Sequence, residues 1–296
     1  MKGAVAFKYL PPALADRLGG LGISVKRPVV GAQQGFHRSP NHGASVEFAE
    51  YREYRPGDPP NQIDWAVYGR TDRHMIRRFQ EETNLRGHVL LDTSESLAFK
   101  GAGPMAKMEY ACYLAASMLY ILVRQGDTAG LMTFDGAVRE GFAPAGSFEG
   151  LRPMLMHLEG VEASGRSDIE AALHEAAGRL KSRSLVIVIS DLLQPAEGIL
   201  RGLRHLEHDG HDVTVMHVLD PGELELGLEG LAELDELETG RRLLVDAEAM
   251  RESYRRAVDR HLDRVRLGCT QSMVEYLLVT TRTPVEEAVH LRARRA

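Results

Sequence analysis

The stretch His88-Val89-Leu90-Leu91-Asp92-Thr93-Ser94-Glu95-Ser96 joins an apolar run to a D-x-S-x-S pattern. The run predicts a strand, and the pattern predicts the loop at its carboxyl end. Residues two apart in extended backbone point to the same side, so we expect Asp92, Ser94 and Ser96 to present three oxygens to one point. A carboxylate with two hydroxyls suits Mg²⁺ or Mn²⁺ better than Zn²⁺, because no Cys or His stands nearby at ligand spacing.

Two further segments carry oxygen ligands in an alternating strand and helix pattern. Residues 184–191 read Ser-Leu-Val-Ile-Val-Ile-Ser-Asp, which is typical of a strand buried on both faces of a parallel sheet. Ligands bind beyond the carboxyl ends of such strands, and Asp191 stands at that end. Between the two strands, Gly165-Arg166-Ser167-Asp168 precedes a run with helical periodicity. We therefore expect Ser167 to act as a helix cap, as a metal ligand, or as both.

These residues resemble the metal-ion-dependent adhesion site of a von Willebrand factor A domain. The resemblance covers roughly residues 86 to 220, with a final strand and helix near the C-terminus. It implies an α/β fold of the Rossmann-like kind, with a mostly parallel sheet flanked by helices, that holds one divalent cation. Where the family usually has Thr on the second loop, this chain has Ser167, and the neighbouring Asp168 competes for the role. Carried over by position, the metal ligands are Asp92, Ser94, Ser96, Ser167 and Asp191.

The N-terminal part carries a second resemblance. Its motifs are Gly43, Val46-Glu47-Phe48, Tyr51-Arg52-Glu53-Tyr54-Arg55-Pro56-Gly57-Asp58, Gln62-Ile63-Asp64-Trp65 and Arg70. They are similar to the signature that precedes the A-like domain in a large bacterial family of unknown function. Members of that family are often encoded beside MoxR-type AAA+ ATPases and are thought to act with them, so the resemblance implies such an ATPase, or its client, as the partner. We interpret the motifs as a structural staple and predict that Trp65, the only tryptophan, is packed rather than exposed.

The sequence predicts an N-terminal β-containing elaboration over residues 1–85 and the A-like domain over residues 86–296. Residues 222–246 interrupt the alternation with an acidic, leucine-rich stretch, which predicts a hairpin inserted at one edge. We interpret this hairpin as a solvated face that shields a sheet edge, in preference to a docking surface. Apolar periodicity predicts a short helix over 11–18, strands over 75–82, 127–134, 212–219 and 273–280, and helices over 108–122, 151–158, 199–206 and 250–265.

Composition narrows the class of protein. With 296 residues the chain is long enough for one large domain with an elaboration, or for two. The 36 basic and 42 acidic residues give a formal charge of -6, which argues against general nucleic-acid affinity. Cys112 and Cys269 are far apart in sequence, so we expect a reducing compartment and no disulfide. No run approaches the ~20 apolar residues of a membrane span and no signal peptide is recognised, which predicts a cytoplasmic protein.

Three enzyme classes lack their motifs here. A phosphatase of the haloacid dehalogenase type needs a second acid where Ser94 stands, and neither a Gly-x-x-x-x-Gly-Lys-Ser/Thr loop nor a Gly-x-Ser-x-Gly elbow occurs. We therefore expect a non-enzymatic, cation-dependent protein-interaction module whose cation keeps a coordination position open for a partner's carboxylate. The enzyme alternative is a metal-dependent hydrolase that activates water beside Asp92 and Asp191. A nucleic-acid binder that uses the arginine-rich stretch 70–78 is disfavoured by the overall charge.

Overall fold

The computed structural model of the chain describes residues 7–24, 46–55, 58, 63–81, 85–228, 230–235 and 242–293. The chain divides into two compact units, residues 1–29 with 85–296 and residues 30–84. This division differs from the predicted elaboration over residues 1–85. The difference arises because Leu14 and Leu18 of the first helix are buried in the core of the larger unit.

Strands and helices alternate along most of the chain. In order, they are α1 (Pro12–Leu18), β1 (Val46–Glu53), α2 (Trp65–Thr71), β2 (Met75–Glu81), β3 (Arg86–Asp92), a 3₁₀ turn (Glu95–Ala98), α3 (Lys107–Arg124), β4 (Thr128–Phe134), β5 (Val138–Ala145), α4 (Phe148–Gly160), α5 (Ile169–Arg179), β6 (Leu185–Ser190), α6 (Ala196–His208), β7 (Asp212–Leu219), α7 (Pro221–Glu225), β8 (Leu231–Asp235), β9 (Arg242–Asp246), α8 (Ala247–Gln271), β10 (Glu275–Thr280) and α9 (Val285–Ala293). Among the described residues, no helix combines the length and apolarity that crossing a bilayer requires.

The larger unit is built on a sheet in the order β10-β7-β6-β3-β4-β5. Neighbours from β10 to β4 run parallel, and β5 runs antiparallel to β4. Since Leu91 of β3 lies opposite Ile189 of β6, the residues that follow these two strands emerge at the same edge of the sheet. The mostly parallel α/β sheet flanked by helices is thus confirmed. Apolar periodicity misses β5, because Val138 is the only buried residue of that strand.

Burial on both faces explains why β6 reads as a continuous apolar run. All of its residues are buried, and they alternate between two cores. Leu185, Ile187 and Ile189 face the core that contains α3 and α4, whereas Val186 and Val188 face the core that contains α5 and α6. Each such side chain contributes about 1.5 to 3 kcal/mol when it is fully buried. These buried side chains fix the position of the carboxyl edge of the sheet, where the candidate ligands lie.

In the smaller unit, β1 pairs antiparallel with β2, which occupies the strand predicted over residues 75–82. Asp64 caps α2, because its Oδ1 accepts hydrogen bonds from the backbone N–H groups of Ala66 and Val67. Trp65 is therefore the first residue of a helix with no buried residue, and its side chain is 60% exposed. The prediction that Trp65 is packed is wrong. Residues 56 and 57 of the N-terminal motif lie outside the described residues, whereas Asp58 pairs with Arg52 at 2.7 Å.

The predicted hairpin is present as β8 and β9, which pair antiparallel, while residues 236–241 between them lie outside the described residues. The two strands form a sheet of their own, so within the described residues the hairpin does not extend the central sheet as an edge. Its Val245 is buried, whereas Leu231 and Leu244 share the opposite, exposed face. That the hairpin shields a sheet edge stays a prediction, because covering an edge does not require pairing with it.

Candidate metal centre

The D-x-S-x-S loop gathers its oxygens at the end of β3. Asp92 closes the strand, and its Oδ1 accepts a hydrogen bond from the Ser94 N–H at 2.9 Å. Ser94 is extended, with φ -61° and ψ 156°, but Ser96 lies within the 3₁₀ turn, so the backbone is not extended throughout as the sequence argument supposed. The turn nevertheless brings the Ser94 and Ser96 hydroxyls together, with their Oγ atoms 3.2 Å apart.

Asp92 is linked to the neighbouring strand by Ser190, which sequence reasoning did not select. The Ser190 hydroxyl donates to Asp92 Oδ2 at 2.6 Å. Ser190 is the last residue of β6, and the parallel register of β3 and β6 places it beside Asp92. Burial of Asp92, followed by the charge of Asp191, raises the pKa of the Asp92 carboxyl to about 7. The site therefore resists a full negative charge at Asp92 unless a positive charge is nearby.

Asp191 contacts a buried lysine. Lys107, the first residue of α3, is fully buried, and its Nζ lies 2.8 Å from Asp191 Oδ2 and 2.6 Å from Glu223 Oε1. Burial disfavours the ammonium, but the two carboxylates outweigh burial and raise the pKa of Lys107 above its usual value. Lys107 is thus charged, and it joins the loop after β6 to α7.

Sequence signals for Lys107 and Glu223 exist, although neither residue was selected. Lys107 lies four residues before Ala111, on the apolar stripe of α3, where an unpaired lysine would be unfavourable. Glu223 is the fourth residue of Asp220-Pro221-Gly222-Glu223, which has the acidic start and the Glu at N3 of a capping box. The structure contains this capping box at α7, so Glu223 contributes to the cap with one oxygen and contacts Lys107 with the other.

The cluster holds more carboxyl groups than cations. Asp92 and Asp191 are nearly inaccessible to solvent and the Glu223 side chain is 15% exposed, whereas the ammonium of Lys107 contacts Asp191 and Glu223. Among the described residues no cation contacts Asp92, which agrees with the raised pKa of its carboxyl. Buried charges are ordinarily paired or bound to metal ions, because an isolated ion loses its hydration.

The second loop is shaped by Gly165 and Asp135. Gly165 has φ +79°, and a Cβ atom there would lie 2.6 Å from Asp135 Oδ2, so a larger residue does not fit. Asp168 N–H donates to the Asp135 carbonyl at 3.3 Å, and Asp168 Oδ1 accepts from Ala171 N–H. Asp168, not Ser167, is therefore the cap of α5, and the expectation that Ser167 acts as the cap is wrong. Asp168 thus caps α5, whereas Ser167 has no capping role.

Hydrogen bonds tie the three loops together. Ser164 N–H donates to the Thr93 carbonyl at 2.8 Å, and Glu95 N–H donates to the Gly165 carbonyl at 3.0 Å, which joins the first loop to the second. The side chain of Gln194 joins the second loop to the third, because its Nε2 donates to the Ser167 carbonyl. Ser96 and Ser167 are partly exposed, whereas Asp92 and Asp191 are buried.

The third loop continues from Asp191 through a residue of unusual backbone geometry. Leu192 has φ +48°, in the left-handed region that non-glycine residues rarely adopt. Its N–H donates to Ser190 Oγ at 3.0 Å, and its carbonyl lies 2.9 Å from His261 Nε2. Burial of Leu192 and these two bonds stabilise the turn. His217 Nε2 lies 2.7 Å from the Asp191 carbonyl, and burial lowers the pKa of His217 to about 4, so this imidazole is neutral.

The residues brought together are suited to a hard cation. Asp92, Ser94 and Ser96 lie on one loop, and Asp191 lies on the adjacent strand end and acts on Asp92 through its charge. Every donor in the set is a carboxylate or hydroxyl oxygen, which matches Mg²⁺ or Mn²⁺. A divalent ion beside Asp92 would favour the ionised form of this carboxyl. The donor set therefore fits such a cation, with Ser167 as the second-loop candidate.

A mostly parallel sheet with a D-x-S-x-S loop after a central strand and an Asp after the adjacent strand defines a von Willebrand factor A-like protein. The profile of a family described as "Protein of unknown function DUF58" matches residues 50–264, and the chain belongs to that family. Uncharacterized proteins from Mycobacterium tuberculosis (strain ATCC 25618 / H37Rv) and Mycobacterium bovis (strain ATCC BAA-935 / AF2122/97) are each 29% identical to the chain over 255 residues, covering 84% of this chain and 79% of the relative.

Several solved structures are similar in fold. An aerotolerance-related membrane protein from Bacteroides fragilis NCTC 9343 has 18% identity and a TM-score of 0.47, covering 72% of this chain and 100% of that chain. BatB from Bacteroides thetaiotaomicron has 16% identity and a TM-score of 0.47, covering 71% and 100%. The vWF domain of the type V pili tip protein Mfa5 from Porphyromonas gingivalis has 9% identity and a TM-score of 0.38, covering 72% and 94%. These similarities concern the fold and not what the chain binds.

Proposed function

We propose that this protein is a non-enzymatic interaction module that binds a protein partner through one divalent cation, Mg²⁺ or Mn²⁺. The observation that supports the proposal is the grouping of Asp92, Ser94 and Ser96 on one loop. The ammonium of Lys107 contacts Asp191 and Glu223, so it leaves the buried Asp92 to another cation. The residues that would hold the ion are Asp92, Ser94, Ser96, Ser167 and Asp191. A bound cation supplies a coordination position that a partner's Asp or Glu takes in place of water.

The partner that family membership favours is a MoxR-type AAA+ ATPase, or a client protein that such an ATPase remodels. Ser96 and Ser167 are partly exposed whereas Asp92 and Asp191 are buried, so we expect a partner's carboxylate to approach from the side of the two serines. A metal-dependent hydrolase would need a general base, either a carboxylate or an imidazole with a free nitrogen, beside the metal-bound water. His217, the imidazole that contacts Asp191, uses Nε2 on the Asp191 carbonyl and Nδ1 on the Tyr276 hydroxyl, so it does not serve as that base.

Calorimetry tests the cation site first. The parent protein is expected to bind Mg²⁺ at one site, and Asp92→Asn is expected to weaken that binding by at least about tenfold, or 1.4 kcal/mol. Asp259→Asn on the exposed face of α8 is the matched control and should bind as the parent does. Circular dichroism establishes that both variants are folded. Equal Mg²⁺ affinity in folded Asp92→Asn and the parent would refute the assignment of the ligands.

Association with the partner tests the function itself. A pull-down of a MoxR-type ATPase or its client from native cells is expected to succeed in Mg²⁺ and to weaken by at least about tenfold in EDTA or with Asp191→Ala. The Asp259→Asn control should retain the partner. A complex that forms equally well in EDTA, with the variants folded, would mean that the cation has no part in the interaction.

A further inference from the structure

Two histidines meet across the helices that follow the second and third loops. His174 lies on α5 and His205 lies on α6, and their Nδ1 atoms are 2.5 Å apart. The two side chains are 43% and 38% exposed. The pair therefore lies at the surface, where solvent and small ions reach it.

Close packing of the two helices holds the rings together. Gly202 of α6 is buried, and a Cβ atom there would lie 2.9 Å from the Cβ atom of Leu173 on α5. Arg201 Nε and Nη2 each donate to the Glu170 carboxylate at 2.6 Å. Contacts therefore recur one turn apart on both helices, first between Glu170 and Arg201 and then between the two histidines.

The other nitrogen of each ring faces a carboxylate. His174 Nε2 lies 4.0 Å from Glu170 Oε1, and His205 Nε2 lies 3.6 Å from Asp209 Oδ2. The hydrogen bonds from Arg201 lower the pKa of Glu170, so this carboxyl is ionised. A carboxylate beside Nε2 favours a proton on that nitrogen. Both Nδ1 atoms are then left with a lone pair, and the two lone pairs face each other.

Two neutral rings cannot satisfy all four nitrogens in this arrangement. If both protons are on Nε2, the facing Nδ1 lone pairs repel each other. If one ring moves its proton to Nδ1 and donates it to the other ring, its own Nε2 lone pair faces a carboxylate. A metal ion between the Nδ1 atoms would accept both lone pairs and leave both Nε2–H groups beside their acids. Histidines that bind metal ions usually have such an acceptor at the second nitrogen.

We propose that His174 and His205 bind one Zn²⁺ ion through their Nδ1 atoms. Imidazole nitrogen suits Zn²⁺, whereas the oxygen donors of the candidate metal centre suit Mg²⁺ or Mn²⁺. Two nitrogens bound to a tetrahedral Zn²⁺ lie about 3.3 Å apart, so the two exposed rings need to separate by less than about 1 Å. Among the described residues, no group of three or more His, Cys, Asp and Glu side chains forms a complete ligand set, so water takes the remaining positions.

The ion would join the two helices that begin beside the candidate metal centre. α5 follows the second loop directly after its cap, Asp168, and α6 follows the third loop. A Zn²⁺ ion that binds only the folded chain stabilises it, because the unfolded chain does not hold the two rings together. This inference concerns a site with different donors, so it does not rest on the proposed function.

Calorimetric titration of the tag-free full chain with zinc chloride tests the site. Excess Mg²⁺ is present throughout, near neutral pH. The parent is expected to bind one Zn²⁺, and His174→Gln or His205→Gln is expected to weaken that binding by at least about tenfold. His208→Gln is the matched control, since His208 lies on the same helix with 89% of its side chain exposed, and it should bind as the parent does. Circular dichroism establishes that the variants are folded.

NMR of the imidazole nitrogens tests the geometry. Zn²⁺ is expected to shift the Nδ1 resonances of two histidines, those lost in His174→Gln and His205→Gln, while their Nε2 atoms stay protonated. Asp209→Asn removes the charge beside His205 Nε2 and is expected to weaken Zn²⁺ binding by about tenfold, because such acceptors raise the basicity of the ligand.

The outcomes separate this site from the candidate metal centre. Zn²⁺ binding that persists in Asp92→Asn and is lost in His205→Gln supports the proposal. Binding that is lost in Asp92→Asn and kept in both histidine variants places Zn²⁺ at the candidate metal centre and overturns it. No saturable binding at millimolar Zn²⁺, equal weakening in His208→Gln, or coordination through Nε2 would also overturn the assignment.

Discussion

Replacing Lys107 with methionine is the sharpest test of the charge arrangement. Lys107→Met keeps a long, apolar stem but removes the ammonium that lies 2.8 Å from Asp191 and 2.6 Å from Glu223. The two carboxylates are 3% and 15% exposed and would be left without this cation. Removing one partner of a buried ion pair costs about 3 to 5 kcal/mol, so we expect the metal-free variant to lose that much stability. This is a large fraction of the about 5 to 15 kcal/mol that stabilises a typical domain.

A divalent cation should offset part of that loss. The variant's cluster holds three carboxylates and no ammonium, so it attracts a cation more strongly than the parent's cluster does. We expect the stabilisation by Mg²⁺ in Lys107→Met to exceed that in the parent by at least about 1.4 kcal/mol, the equivalent of tenfold tighter binding. Urea unfolding followed by circular dichroism, in EDTA and in saturating Mg²⁺, measures both quantities.

Two further variants make the test specific. Lys181→Met removes an exposed lysine and should change stability by less than about 0.5 kcal/mol. Adding Glu223→Gln to Lys107→Met removes one unpaired carboxylate, so it should recover part of the lost stability in EDTA. Parent-like unfolding of Lys107→Met in EDTA would show that the ion pairs contribute nothing. A variant that Mg²⁺ stabilises less than it stabilises the parent would contradict the proposed attraction between the cluster and the ion.

Three other predictions concern the fold. Gly103→Ala is expected to cost about 1 to 3 kcal/mol in urea unfolding, because the new Cβ would lie 2.7 Å from Asp220 Oδ2, whereas Gly160→Ala, with open space around it, should not destabilise. Burial lowers the pKa of His88 to about 4. Below about pH 6.5 the unfolded state therefore binds a proton at His88 that the folded state does not bind. The contribution of His88 to stability should therefore fall by up to about 3 kcal/mol between pH 6.5 and pH 4, and a parent-like pH profile in His88→Gln would contradict this. Trp65 should be quenched readily by acrylamide in the native protein, since its side chain is 60% exposed, and strong protection would contradict the exposed position.

The central sheet was predictable because strands that are buried on both faces have continuous apolar runs in the sequence. The run over β6 ends at the strand's end, and Asp191 follows it, so the edge at which ligands gather was predictable as well. β5 was not, because an edge strand that is mostly exposed carries no apolar run. Trp65 was wrongly predicted to be packed, because a large aromatic residue in a distinctive motif does not specify which side of a short helix it occupies.

The candidate centre was predictable only in part, for a physical reason. Local spacing indicates Asp92, Ser94 and Ser96, whose relation depends on one loop. Lys107 and Glu223 are 116 residues apart and meet only when the sheet is assembled, so no local pattern connects them. The lack of a cation beside Asp92, which supports the proposed metal ion, appears only when all four side chains are placed together.

The same long separations give the centre a place in the order of folding. The Asp92–Ser190 hydrogen bond spans 98 residues, so β3 and β6 must dock before these two side chains meet. Contacts between distant segments form only after the entropy of closing a long loop has been overcome, whereas helices such as α3 form from local contacts. A refolding chain should thus gain helical circular dichroism before it gains affinity for Mg²⁺. A cation that binds only the assembled edge should slow unfolding more than it accelerates refolding. The ion would therefore act late in folding, by stabilising the folded state.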